Sequence, residues 1–202
     1  MRALVVATTN PDKVREIREI LAGLPITLLT LSDFAPVAPP TETGTTFQEN
    51  ARQKALFYAR ATQTTVVAED SGLEVDALGG APGVQSARYG GEDATYAEKF
   101  ALLYESLRQV GAATSTARFV CALTVADQDA VVFEARGTVE GSIAPEPRGV
   151  GGFGYDPIFF YPPFDCTLAE AGERKHQVSH RAQAFRELRR MLEAQATTGA
   201  QS

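Results

Sequence analysis

Leu4-Val5-Val6-Ala7-Thr8-Thr9-Asn10-Pro11-Asp12-Lys13 passes from an apolar run, through three polar residues, into a proline. The first four residues read as a short buried strand. Beyond Pro11 the apolar positions are Val14, Ile17, Ile20, Leu21 and Leu24, the spacing of a helix with a period of 3.6 residues. Asn10 suits the N-cap, and Pro11 suits the first helical position, where its missing N–H would have had no partner. A strand that turns directly into a helix sets the class as α/β.

The rest of the chain repeats this alternation without strict βαβ regularity. A proline-rich connector, Ala35 to Pro40, leads through Thr41-Glu42-Thr43-Gly44 to a helix announced by Thr46 and Glu49, the spacing of a capping box. Phe47, Ala51, Ala55 and Ala59 share its inward face. Thr65 to Ala68 reads as a short buried strand that delivers Glu69-Asp70-Ser71-Gly72 at its C-terminal end. After a glycine-rich loop from Leu78 to Gly83, a third helix opens near Thr95, with Glu98 three residues on, and runs to about Arg108. Ala117–Ala126 and Ala130–Val139 are β-rich runs joined by Asp127-Gln128-Asp129, which reads as a hairpin. A loop rich in glycine from Gly149 to Gly154 follows. A last helix opens at Ser179, with Phe185, Leu188, Met191 and Leu192 apolar. The expected fold is therefore a mixed central β-sheet flanked by helices. The hairpin forms a second lobe, and an active-site cleft lies between the two. Residues 1–195 make a single two-lobed domain, and 196–202 a flexible tail.

Composition narrows what such a fold does. A chain of 202 residues with 44% hydrophobic and 22% charged residues holds one globular domain and excludes a coiled coil or a disordered chain. Nineteen Lys and Arg against 25 Asp and Glu leave a net charge of −6, which argues against nucleic acid as a partner. Cys121 lies in an apolar run and Cys166 in a Pro/Phe loop, so neither a disulfide framework nor metal-ligand spacing is available. The apolar start is too short for a signal peptide or a membrane span, so no membrane partner and a cytoplasmic location are expected.

Four groups of residues carry candidate chemistry. Thr8, Thr9, Asn10 and Lys13 lie at the strand-to-helix turn, where backbone amides and the helix dipole favour an anion; taken alone, Lys13 reads more readily as a solvated surface lysine. Glu69 and Asp70, with Glu42 in a separate turn, offer hard oxygen ligands of the kind that hold Mg²⁺ together with substrate phosphates. Adjacent strand residues point in different directions, so one acid faces the site while its neighbour braces it or reaches the metal. Gly149 to Gly154 satisfies G-x-G-x-x-G but has no preceding strand and no following helix, so it is not a dinucleotide fingerprint. Phe153, Gly154, Tyr155 and Asp156 better suit a wall on which a flat base stacks, or else a turn with core aromatics. Lys175, His180 and Arg181 cluster cationic and polar groups at the start of the last helix.

Together these segments resemble the inosine triphosphate pyrophosphatase family, most closely its bacterial dITP/XTP-cleaving members. The matching stretches are Ala7 to Lys13, Glu42-Thr43-Gly44 with Glu49-Asn50-Ala51, Glu69-Asp70-Ser71-Gly72-Leu73 and Leu78 to Gly83. Ser86-Ala87-Arg88-Tyr89, Gly152 to Phe160, and Lys175 with Ser179-His180-Arg181 complete the set. The resemblance covers nearly the whole chain to about residue 190. It implies a Mg²⁺-dependent homodimeric hydrolase that cleaves ITP, dITP, XTP and dXTP to the monophosphate and pyrophosphate. In that family Asp70 is the general base, and Glu42 with Asp70 holds the metal, Glu69 being a further candidate. Thr8 to Lys13, Ser71, Phe153 to Asp156, Lys175, His180 and Arg181 contact substrate. Two positions depart from the bacterial pattern, Thr9 in place of a common glycine and Glu69 in place of a common aspartate. Two other readings stay open: a Maf-type nucleotide pyrophosphatase, and a purine nucleotide sensor that does not hydrolyse.

Overall fold

In the computed structural model, which describes residues 2–199, β1 (Arg2–Val6) and α1 (Pro11–Ile20) form where the opening stretch places them. Asn10 caps α1, its Oδ1 accepting from the amides of Asp12 at 2.9 Å and Lys13 at 3.3 Å. β2 (Ile26–Thr30) follows, a strand the sequence reading does not anticipate. It pairs in parallel with β1 from Arg2↔Ile26 to Val6↔Thr30, closing a βαβ unit at the N-terminus.

α2 (Phe47–Thr62) and α3 (Tyr96–Gln109) begin at Thr46 and Thr95 with complete capping boxes. Between them runs β3 (Val66–Val75), and here the structure corrects the sequence reading. The strand does not end at Ala68; it continues through Glu69-Asp70-Ser71-Gly72. The turn-forming character of those residues is overridden because the strand is buried along most of its length. Gly72 suits this path, since a Cβ there would lie 2.7 Å from the Gly83 carbonyl oxygen and on the Ser86 hydroxyl.

β4 (Thr116–Asp127) and β5 (Ala130–Ile143) meet at Gln128-Asp129, where Gln128 takes φ +53°. β6 (Phe159–Tyr161) and β7 (Cys166–Thr167) add antiparallel strands, giving one sheet in the order β2-β1-β3-β4-β5-β6-β7. The short α4 (Lys175–Val178) precedes α5 (His180–Gly199). α5 carries the helix past Gln195, because no helix breaker intervenes and Thr197 bonds back to the Glu193 carbonyl. Residues 200–202 of the expected tail lie outside the described residues.

The chain divides into two compact units. The first comprises residues 1–70, 121–137 and 180–202, and the second 71–120 and 138–179. The tip of the β4–β5 hairpin therefore belongs with the N-terminal strands and α5, not to a second lobe; its residues 121–126 are buried in the cores of the first unit. Those cores follow the strand period of two. Leu4, Val6 and Val67 face α1 and α5 with Phe185 and Leu188, while Val5, Ala7, Val66 and Ala68 face Ala55, Tyr58 and Ala59 of α2. The second unit has its own core, which includes Leu73, Phe100, Leu103, Phe119, Tyr155 and Phe159.

Candidate active site

The alternation that sorts the apolar residues of β3 also sorts its acids. Glu69 follows Val67 onto the α1/α5 side, and Asp70 follows Ala68 onto the α2 side. Both are buried, at 4% and 8% exposure, and each meets a different set of partners.

On its side Glu69 gathers four donors. Oε1 accepts from Lys13 Nζ at 2.9 Å and Arg181 Nη2 at 3.0 Å; Oε2 accepts from Arg181 Nε at 3.0 Å and the Cys121 thiol at 2.9 Å. Arg181 also donates Nη1 to Glu16 Oε2 on α1, at 2.7 Å. Burial pushes the Glu69 carboxyl up, but Arg181 and Lys13 outweigh it and hold the group well below the usual carboxylate range. Burial and the adjacent Glu69 push the Cys121 thiol well up, so it is a neutral donor. Neither cysteine is in a disulfide, as the sequence predicts.

On the α2 side Asp70 accepts from Asn50 Nδ2 at 3.0 Å and from Lys54 Nζ at 3.1 Å. Lys54 also reaches Glu42 Oε1 at 2.7 Å, so one ammonium spans both carboxylates. Burial raises the Asp70 carboxyl above the ordinary aspartate range despite Lys54 and Asn50. Sequence reasoning misses Lys54. The one signal for it is its place four residues after Asn50, on the same helix face.

Thr8, Thr9, Lys13, Glu42, Lys54 and Glu69 line a cavity of about 570 Å³ that has Leu31, Phe34 and several prolines of the 36–40 connector as its apolar wall. The helix-terminus reading needs one refinement. Asn10 occupies the amides of Asp12 and Lys13 and itself donates N–H to Thr8 Oγ1 at 3.2 Å, so the positive charge on the cavity comes chiefly from the lysine side chains. Among the described residues no three His, Cys, Asp or Glu side chains are grouped to hold a metal alone. Glu42 and Asp70, whose hard oxygens meet on the Lys54 ammonium, are donors of the kind that would suit Mg²⁺. Glu69 does not fit: its carboxylate has about four acceptor positions, and four donors fill them.

In the second unit, Asp156 is the hub. Its Oδ2 accepts from Lys175 Nζ at 2.6 Å and from the Phe153 amide at 2.8 Å, while Lys175 Nζ sits 4.4 Å from the centre of the Phe153 ring. Asp156 and Lys175 are buried, and Phe153 is half-buried. Gly154 takes φ +70° beside them. Of the two readings open for this turn, the Tyr155 side chain takes the core one: it is 3% exposed, packs edge-on against Tyr96, and donates its hydroxyl to the Ser86 carbonyl. Ser71 is half-buried on β3. His180, 8% exposed, and Arg181, 1% exposed, begin α5 in the first unit.

These features define a class: mixed-sheet α/β proteins in which a strand-to-helix turn, two lysines and two carboxylates line one cavity, with a buried aspartate beside them. Within that class the chain belongs to the Ham1 family, whose family model matches residues 4–191. A dITP/XTP pyrophosphatase of Thermus thermophilus is 52% identical over 186 residues, covering 92% of this chain and 89% of that relative. The dITP/XTP pyrophosphatase of Geobacillus kaustophilus is 47% identical, with 93% of each chain covered. Among solved structures, a HAM1 protein from Coxiella burnetii superposes with a TM-score of 0.90 at 39% identity, over 96% of this chain and 100% of that one. The resemblance read from the motifs is thus borne out, as is the mixed-sheet α/β class. No helix among the described residues is long and apolar enough to cross a membrane.

Proposed function

We propose that the protein hydrolyses dITP, ITP, dXTP and XTP to the monophosphate and pyrophosphate, removing deaminated purine nucleotides from the precursor pool. The observation that carries this reading is Asp70: a buried carboxyl with raised proton affinity, set by Asn50 and Lys54 beside a lysine-lined cavity. A carboxylate in that state is suited to take a proton from an attacking water. The relatives named dITP/XTP pyrophosphatase support the substrate class.

Glu42 and Asp70 would hold Mg²⁺, which when bound neutralises charge on the phosphate oxygens. Lys13 and Lys54 bring positive charge to the same end of the substrate, with Thr8 and Thr9 lining the approach. At the base end, Asp156 sets Phe153 and Lys175 and accepts from N1–H, which adenine lacks; a base that leaves a buried acceptor unpaired is rejected by orders of magnitude. Ser71 and His180 contact substrate in this proposal. Arg181 organises the phosphate end, being committed to Glu69 and Glu16, and backbone amides of the 152–155 loop donate to the 6-oxo group. The enzyme works in the cytoplasm as a homodimer, for which light scattering is the test.

The deciding experiment compares dITP, XTP, dGTP, dATP and dUTP with Mg²⁺ and resolves the products by chromatography. Monophosphate plus pyrophosphate from dITP and XTP, with dATP and dGTP largely untouched, is the expected result. Orthophosphate release would point to a phosphohydrolase, and metal-dependent binding without cleavage to a sensor.

A further inference from the structure

Glu69 lies fully inside the first unit, one residue before Asp70, yet its carboxylate does not join Glu42 and Asp70. Its Oε1 holds the ammonium of Lys13, and Lys13 lines the cavity. The other three donors, two from Arg181 and one from Cys121, fix the carboxylate in place, and Glu16 fixes Arg181 from α1. Lys13 is thereby tied into a rigid chain, Glu16–Arg181–Glu69–Lys13, in which two carboxylates face two cations. A lysine on a flexible four-carbon stem loses its rotamer freedom when such a partner holds it, and that cost is met before any ligand arrives.

We propose that Glu69 is a positioning residue that presents Lys13 to a phosphate group in the cavity, and that it is not a metal ligand. The identity of the phosphate compound rests on the function proposed above; the arrangement itself does not. Calorimetry with inorganic pyrophosphate in the absence of divalent cations tests it without turnover. Glu69→Gln removes the charge while keeping the shape, and should weaken pyrophosphate binding about tenfold. Glu69→Asp shortens the arm by about 1.5 Å and keeps the charge, and should give an intermediate loss. In a Lys13→Ala background the same changes should have almost no further effect, because the interaction runs through Lys13. With dITP, the Glu69 variants should raise KM and leave kcat within about threefold, with the Mg²⁺ concentration for half-maximal rate unchanged.

Thermal melting identifies any variant that fails to fold, and Glu69→Asp keeps the test available if Glu69→Gln does not fold. The inference is overturned by absence of pyrophosphate binding in the unaltered protein, by unchanged affinity in both Glu69 variants, by losses that add fully to that of Lys13→Ala, or by a raised Mg²⁺ requirement. Failure to cleave dITP would instead count against the proposed function, since the calorimetric result stands apart from hydrolysis.

Discussion

Replacing Asp70 by Asn separates chemistry from folding. The side chain keeps its shape and one acceptor oxygen but loses the charge and the basicity. Two effects on stability oppose one another. The charge-assisted bond to Lys54 at 3.1 Å is weakened, a loss of about 1.5–3 kcal/mol. A buried carboxylate that burial has already made easier to protonate no longer has to be desolvated, which returns an amount of the same order. Lys54 also retains Glu42 at 2.7 Å, so no cation is stranded. The net change should be below about 2 kcal/mol, or a fall in melting temperature of less than about 8 °C for a chain of this size. Under the proposed function Asp70 is the general base, and losing one costs about 10²–10⁴ in rate, equal to roughly 2.7–5.4 kcal/mol of barrier. Single-turnover hydrolysis of dITP, calorimetric titration with pyrophosphate and a thermal melt on one preparation measure all three quantities. A variant that melts 15 °C or more below the parent, or keeps more than about a tenth of its turnover, would refute the reasoning.

Gly152→Ala should disturb the Asp156 contacts: the position has φ +70°, and a Cβ would lie 3.0 Å from Asp156 Cγ, so strain of about 1–3 kcal/mol is expected and, under the proposed function, a roughly tenfold fall in kcat/KM for dITP with pyrophosphate affinity unchanged. Thr46→Ala removes the side-chain half of the α2 capping box and should lower stability by about 1 kcal/mol in urea denaturation. Acid stability should follow Glu69. Its folded-state proton affinity is depressed, so the stability it contributes is present above the ordinary glutamate value and is lost as pH falls toward the folded one. In chelator, the urea-derived free energy should fall by about 1.4 kcal/mol per pH unit in that window beyond the slope of a Glu69→Gln control.

What the sequence makes legible is what lies close along the chain. The caps at Asn10, Thr46 and Thr95 are visible because donor and acceptor fall within three residues of each other. The two-residue hairpin is visible for the same reason. β3 is read too short because Asp, Ser and Gly carry turn preferences that burial overrides, and β2 is missed because five residues of Ile-Thr-Leu-Leu-Thr give little periodicity to count. The site divides in the same way. Motif spacing points to Lys13, Glu42 and Asp70, but the ammonium that joins Glu42 and Asp70 comes from Lys54, 12 and 16 residues away on a helix whose facing is a tertiary fact. Tyr155 sits among residues expected on a binding wall, and only packing against Tyr96 and Phe100 reveals it as core.

The chain order of the first unit has a bearing on how the protein is made. Its buried ion network joins Glu16 to Arg181 across 165 residues and Glu69 to Arg181 across 112. During synthesis both carboxylates leave the ribosome long before their guanidinium does. Until α5 emerges, α1 lacks its packing partner, and Glu69 has only Lys13 and later Cys121 to meet. Closing such distant contacts is slow compared with local pairing, and an intermediate with β1–β3 formed would expose apolar strand surface meanwhile. Both long-range links wait on the arrival of α5, and ribosome-bound chains stalled before residue 181 should be more protease-sensitive around α1 than released chains.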